Sequence, residues 1–249
     1  MTPEPTPSDR LVSLDAFRGI TIALMILVNT PGDGEASYWP LKHAAWHGWT
    51  PTDVVFPSFL WIAGLALTIA FERRLAAGAT RGRVFLQTAR RAVILYAIGL
   101  FLCGFPLIDL ATLRWMGVLQ RIAICTLVGS AIWLTTSVRG RIGWIVGLLA
   151  TYWALMMLVP VPGYGAGRLD VEGNLAHYVD RMVLGAHNWA ETKTWDPEGC
   201  VSTLPAIATF LFGTLAGTWL RGSGPLSTRL AGLAAAGAGL VALGLVCHH

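Results

Sequence analysis

The chain has 249 residues, of which 54% are apolar and only 13% charged, with eleven Trp and twenty-eight Gly. A soluble globular domain carries about 25% charged residues, so this composition excludes an ordinary soluble domain and makes lipid the expected solvent. The formal net charge of +4 gives no reason to expect nucleic acid as a partner; the placement of the arginines is what informs.

Crossing roughly 30 Å of hydrocarbon takes about 20 apolar residues. Seven stretches qualify: 14–30, 52–71, 92–108, 116–135, 142–160, 204–220 and 230–247. They predict an all-α, polytopic transmembrane helix bundle, with a tail over 1–13 and one membrane domain over 14–249 that carries a long outer loop at 161–203. The tail is Pro-rich and lacks the basic start and cleavage site of a signal peptide, so the first apolar run is expected to stay as a helix.

Orientation follows from the loops. Arg10, Arg18, Arg73, Arg74, Arg81, Arg83, Arg90, Arg91, Arg139, Arg141, Arg221 and Arg229 fall on one side. Only Lys42, Arg114, Arg168, Arg181 and Lys193 fall on the other. The positive-inside rule then makes the N-terminus cytoplasmic and puts the loop 31–51 outside. Within 161–203, Leu175, Tyr178, Val179, Met182 and Val183 share a helical stripe, which predicts a short interfacial helix. The small-residue run at 231–244 predicts a close helix–helix face. Four widely spaced cysteines, with no CxxC pair, read as buried thiols rather than metal ligands.

Ionisable and amide side chains inside membrane segments are functional candidates, because each is costly to insert. Asp15 and Arg18 open the first span and Asn29 ends it. Gln120 and Arg121 lie inside the fourth span. Asp53 follows Pro51 at the start of the second, where capping is the simplest role, and Pro57 is positioned to kink that helix. Between these spans come Lys42, His43, His47 and Trp39, Trp46 and Trp49; with Trp61 the tryptophans read as a boundary belt. The i,i+4 spacing of His43 and His47 suits a metal only on a helix, and no third ligand is nearby, so no metal is expected. An imidazole at an outer pocket is a natural general base or acyl carrier, but spacing does not choose between the two histidines.

The segments RLVSLDAFRG, the asparagine ending span one, YWPLKHAAWHGWTPTDVVFPSFLWIAG, RWMGVLQRIAIC and DPEGCVSTLPAIATFLFGTLAG closely resemble, in order and along the whole chain, the heparan-α-glucosaminide N-acetyltransferase family. The resemblance implies transfer of an acetyl group from cytoplasmic acetyl-CoA to an amino sugar across the membrane. It places the catalytic role on His43 rather than His47, with Asn29 as its partner. Arg18, Gln120 and Arg121 become candidates for the acetyl-CoA route, the arginines suiting phosphate. Asp15, Asp53, His187, Asn188 and Asp196 become candidates for acceptor contact or structural support.

Family members usually have more spans, so the chain is expected to be C-terminally truncated. Its arginine-rich composition, without a large luminal domain, suits a bacterial inner-membrane relative acting on an envelope glycan. Membrane lipid and a glycan acceptor are the expected partners, with a homodimer as a compatible assembly. A transporter or channel, or a non-catalytic membrane subunit, are the competing readings; the lack of internal repeats weighs against the first.

Overall fold

The computed structural model describes residues 12–30, 32 and 36–248, so most of the proposed tail lies outside the described residues. The described part is all-helical, and seven of its helices are long and apolar enough to cross a membrane. They are α1 (Val12–Asn29), α2 (Pro51–Ala76), α3 (Arg81–Gly104), α4 (Val118–Thr135), α5 (Val138–Leu158), α7 (Thr203–Leu220) and α8 (Leu226–His248). The short α6 (Leu175–Val183) sits in the long connection between α5 and α7.

Capping chemistry sets the boundaries. Thr50 is the N-cap of α2, with Pro51 at its first turn, where the missing N–H costs nothing. Thr80 Oγ1 accepts from Arg83 N at 3.3 Å, which starts α3 about three helical turns before its apolar run. Its far end comes at Gly104, two residues before Pro106. The third span therefore begins eleven residues earlier than the apolar run alone suggests, because hydropathy registers the hydrocarbon and not the cap. Ser137 and Asn174 cap α5 and α6 in the same way, accepting from Gly140 N and His177 N.

The core lies where α2, α4 and α7 meet, flanked by α3 and α5. Phe210, Leu211, Leu60 and Cys125 are almost fully buried there. The tightest approach is between α2 and α7: a Cβ added at Gly213 would lie 1.9 Å from the Trp61 carbonyl oxygen, and one at Gly64 2.0 Å from that of Phe210. Backbone-to-backbone contact of this kind is open only to glycine. Thr68 Oγ1 donates across the same seam to the Thr214 carbonyl at 3.3 Å.

Here the structure departs from the expectation for 231–244. Gly237, Gly239 and Gly244 face open space, and α8 touches the bundle lightly, with Gly232 set against Trp219. The close seam is built instead from isolated glycines in α2 and α7, whose register matches across the crossing. Trp61 is not at a boundary: it lies ten residues into α2, about 15 Å from its start, and packs edge-on against Phe17 of α1. Pro57 sits within an unbroken α2. Of the cysteines, Cys125 is buried, Cys200 half-buried and Cys103 exposed on α3, where an apolar surroundings in sequence is also what a lipid-facing position provides.

Candidate active site

The first turn of α2 builds the site. Thr52 Oγ1 donates to the Pro40 carbonyl at 2.8 Å, and Thr50 Oγ1 to that of Lys42 at 2.6 Å. Asp53, three residues past the cap, turns its carboxylate back over the same segment. Its Oδ2 accepts from Thr50 N at 2.8 Å and Ala44 N at 3.1 Å. Its Oδ1 lies 2.6 Å from His43 Nδ1. The segment 40–44 is thus fastened to the start of the helix at four points, one of them the histidine itself.

This geometry fixes the chemistry of the ring. A carboxylate can only accept, so Nδ1 carries the proton, and in the neutral ring Nε2 keeps the lone pair. The His43 side chain is 69% exposed while that of Asp53 is 26%, so the free nitrogen is open to a reactant. His47 is exposed, lies in an irregular stretch, and makes no side-chain hydrogen bond among the described residues. The i,i+4 premise for a two-histidine metal site therefore does not apply, and among the described residues no three His, Cys, Asp or Glu are arranged so that they could hold a metal ion.

Asn29 is the last residue of α1 and is exposed. Among the described residues no hydrogen bond joins it to His43. Asp15 is half-buried and Arg18 exposed, both in the first half of α1. Arg18 and Arg121 sit at opposite ends of the bundle, because α1 and α4 run in opposite directions in an alternating series. Gln120 is buried in the α3–α4 seam, where Gly99 leaves room for its amide and Cys103 Sγ lies 3.7 Å away. It faces away from Arg121, which turns toward the start of α7.

A second polar cluster ties the long connection to the loop before α4. Arg114 holds Asp196 with two bonds, Nε to Oδ2 at 2.7 Å and Nη2 to Oδ1 at 2.6 Å, and reaches Glu198 Oε2 at 2.6 Å. Its guanidinium also lies over the Trp189 ring. Burial would pull the Arg114 pKa down, but Asp196 and Glu198 outweigh it and hold the guanidinium above its ordinary value. Asp180, nearly inaccessible, accepts from Cys200 N at 2.8 Å and Asp196 N at 3.3 Å. Burial pushes its carboxyl up, and those two N–H groups recover only part of the cost. Arg121 donates to the Gly199 carbonyl at 3.2 Å and to Ser202 Oγ, and its buried Nε has no partner.

His187 stacks on Trp115 with ring centroids 3.8 Å apart and meets the Leu113 carbonyl through Nδ1 at 2.8 Å. Asn188 donates to the carbonyls of Gly185 and Asp180. His187, Asn188 and Asp196 are all engaged in holding this connection together. Arg114, Glu198 and Asp180, which sequence reasoning passed over, complete the cluster. The one sequence signal was an arginine alone in a short outer loop, with a DPEG segment about 80 residues away.

Trp46 links the two clusters. Its Nε1 donates to the Leu169 carbonyl at 2.7 Å, and its ring meets that of Trp195 edge-on at 5.3 Å. On α6, Leu175, Tyr178 and Val179 pack on Met156 and Val161, while Met182 and Val183 stay exposed. The stripe read from the sequence is thus half packed and half open.

Comparison with known proteins was informative over nearly the whole chain. Residues 10–245 match the family model described as heparan-alpha-glucosaminide N-acetyltransferase, catalytic. The human heparan-alpha-glucosaminide N-acetyltransferase is 30% identical over 256 aligned residues, covering 84% of this chain and 38% of that protein. The mouse protein of the same name is 28% identical, covering 84% of this chain and 39% of its own length. The chain therefore spans well under half the length of these relatives. On the extent of the family match, it belongs to the heparan-alpha-glucosaminide N-acetyltransferase catalytic family of membrane acetyltransferases.

Proposed function

We propose that the chain carries an acetyl-transfer centre in which His43 Nε2 is the reacting nitrogen, acetyl-CoA the donor and an amino sugar on the far side of the membrane the acceptor. The observation that carries this reading is the 2.6 Å pairing of His43 Nδ1 with Asp53 beneath an exposed ring. A glucosamine-type ammonium must lose a proton before it attacks a thioester. Nε2 accepts that proton, and Asp53 stabilises the imidazolium that results. The same arrangement serves a two-step route. Nε2 attacks the thioester carbonyl carbon and the C–S bond breaks with CoA leaving as the thiolate; the free amine then attacks the acetyl carbon, the bond to Nε2 breaks, and the proton lost by the amine passes to water.

Asp53 is a positioning residue in either route. Asn29, at the end of the neighbouring helix, is suited to donate to the developing oxyanion. Arg114, Asp196, His187 and Asn188 brace the outer wall rather than meeting the acceptor. Arg121, whose Nε has no partner among the described residues, is a donor-route candidate in the same half of the bundle as His43, and Arg18 is one at the end where the donor enters; Gln120 is occupied with packing. The orientation that puts His43 outside rests on the arginine asymmetry.

The test is transfer of radiolabelled acetyl from acetyl-CoA to glucosamine by purified protein. His43→Ala is expected to lower turnover by about 10²–10⁴-fold, the usual weight of acid–base catalysis. Unchanged turnover in that variant would overturn the assignment of His43. No transfer by the wild-type chain, with folding verified, would remove the centre from this chain.

A further inference from the structure

The arginine-rich end of the bundle holds a cavity of about 640 Å³ between the end of α2 and the first half of α3. Arg74 enters it from α2, and Arg83, Gln87, Arg90, Arg91 and Ile94 from α3. The α3 positions recur at intervals of three, four or one, so they form a single helical face. Arg74 Nη1 donates to Gln87 Oε1 at 3.1 Å, which draws the two walls together.

Four guanidinium groups converge here without a carboxylate in the lining. Other arginines at this end have partners in the protein: Arg81 donates to the Leu134 carbonyl, Arg141 to Thr218 Oγ1, and Arg221 pairs with Glu72. Among the described residues, none of Arg74, Arg83, Arg90 and Arg91 forms an ion pair with a carboxylate. Like charges gathered in this way repel, and an anion offsets the repulsion. Guanidinium favours phosphate, which it grips with two parallel N–H bonds.

The face continues below the arginines as aliphatic surface. Ile94 and Ile98 are both about half exposed, one and two turns beyond Arg90 and Arg91. Cationic groups therefore give way to apolar ones along the same line, which is the order a membrane imposes from headgroup to acyl chain. We propose that this cavity binds the phosphate headgroup of an anionic phospholipid, with an acyl chain lying along Ile94 and Ile98. A soluble phosphate would use only the upper half. A zwitterionic lipid would bring its own cation into a cavity that is already cationic.

Native mass spectrometry of the delipidated, detergent-solubilised protein tests this with dioleoyl phosphatidylglycerol, dioleoyl phosphatidylcholine and inorganic pyrophosphate as probes. Phosphatidylglycerol is expected to bind and the choline lipid to bind much more weakly. Each arginine near the headgroup layer contributes about fivefold, so R90Q/R91Q is expected to weaken phosphatidylglycerol binding about 30-fold. R139Q, an exposed arginine at the same end but on α5, is expected to leave it unchanged. If the double variant does not fold, R83Q alone is expected to lose about fivefold. Equal binding of the two lipids, or wild-type affinity in the arginine variants, overturns the proposal. So does pyrophosphate binding without phosphatidylglycerol binding, which would mark a site for soluble phosphate.

Discussion

Asp53 does two things with one carboxylate, and the two can be separated. Oδ2 closes the start of α2 and Oδ1 holds His43. Asp53→Asn keeps one oxygen for the cap but cannot offer a charge to an imidazolium. It is expected to reduce turnover about 100-fold with little change in acetyl-CoA affinity, measured as separate kcat and Kd values. Asp53→Ala is expected to add a stability loss of about 1 kcal/mol from the lost cap. A matching loss of donor affinity in Asp53→Asn would argue that the residue touches the donor instead.

At Asp180 the sign of the pH dependence is fixed by burial. Its carboxyl is raised above the ordinary value of 3.8, so the folded protein holds this proton more tightly than the unfolded chain. Stability from this group is complete below 3.8 and declines as pH rises through the folded value. Glu198 is shifted the same way by burial, with Arg121 and Arg114 pulling it back in part. The thermal midpoint of the wild type is therefore expected to fall relative to that of Asp180→Asn as pH is raised from about 4. Parallel curves for the two proteins would contradict this.

At the level of elements, the α2–α7 crossing is the least forgiving part of the fold. A methyl group at Gly213 would meet the Trp61 carbonyl at 1.9 Å; the carbonyl is helix backbone and the position of a Cβ is set by its own helix, so neither can swing aside. Gly213→Ala is expected to cost about 1–3 kcal/mol and to lower the thermal midpoint in detergent. Gly239→Ala in α8, where nothing lies within 4 Å, is expected to leave it unchanged. The spans themselves were legible in the sequence, since lipid imposes a length and polarity that few other constraints disguise. Which helices meet was not. The most conspicuous small-residue run lies on α8, whereas the true seam rests on glycines spread over two helices about 150 residues apart. The Arg114–Asp196 pair was hidden for the same reason, being a contact between two loops that only the folded bundle brings together. Near His43 the position was different: Pro51 and Asp53 are local to one turn and their capping role could be read directly, whereas the threonine bonds and the pairing of Asp53 with His43 appear only once the loop is folded onto that turn.

For the whole molecule, the arginine asymmetry predicts which parts face which compartment. In a variant lacking native cysteines, Ala45→Cys is expected to react with a membrane-impermeant maleimide added to intact cells. Ala77→Cys is expected to react only after the membrane is opened. The reverse pattern would place the acetyl-transfer centre on the same side as the donor and remove the need for transfer across the bilayer. Family membership was legible because its motifs run through the chain in order. The proposal of His43 as the reacting residue began from those motifs, and the structure adds what they lack, a carboxylate on Nδ1 that leaves Nε2 facing outward.

α1 packs on α2, with Phe17 edge-on to Trp61, and carries Asn29 at its free end. His43 is fastened to α2 directly. The two residues proposed to act together are thus measured from one common post, one by a clamp and the other by a lever. Asn29 lies twelve residues beyond Phe17, an arm of about 18 Å, so a 10° tilt of α1 would move it by about 3 Å while His43 stayed in place. The separation of the pair therefore depends on the angle at which α1 leans on its neighbour.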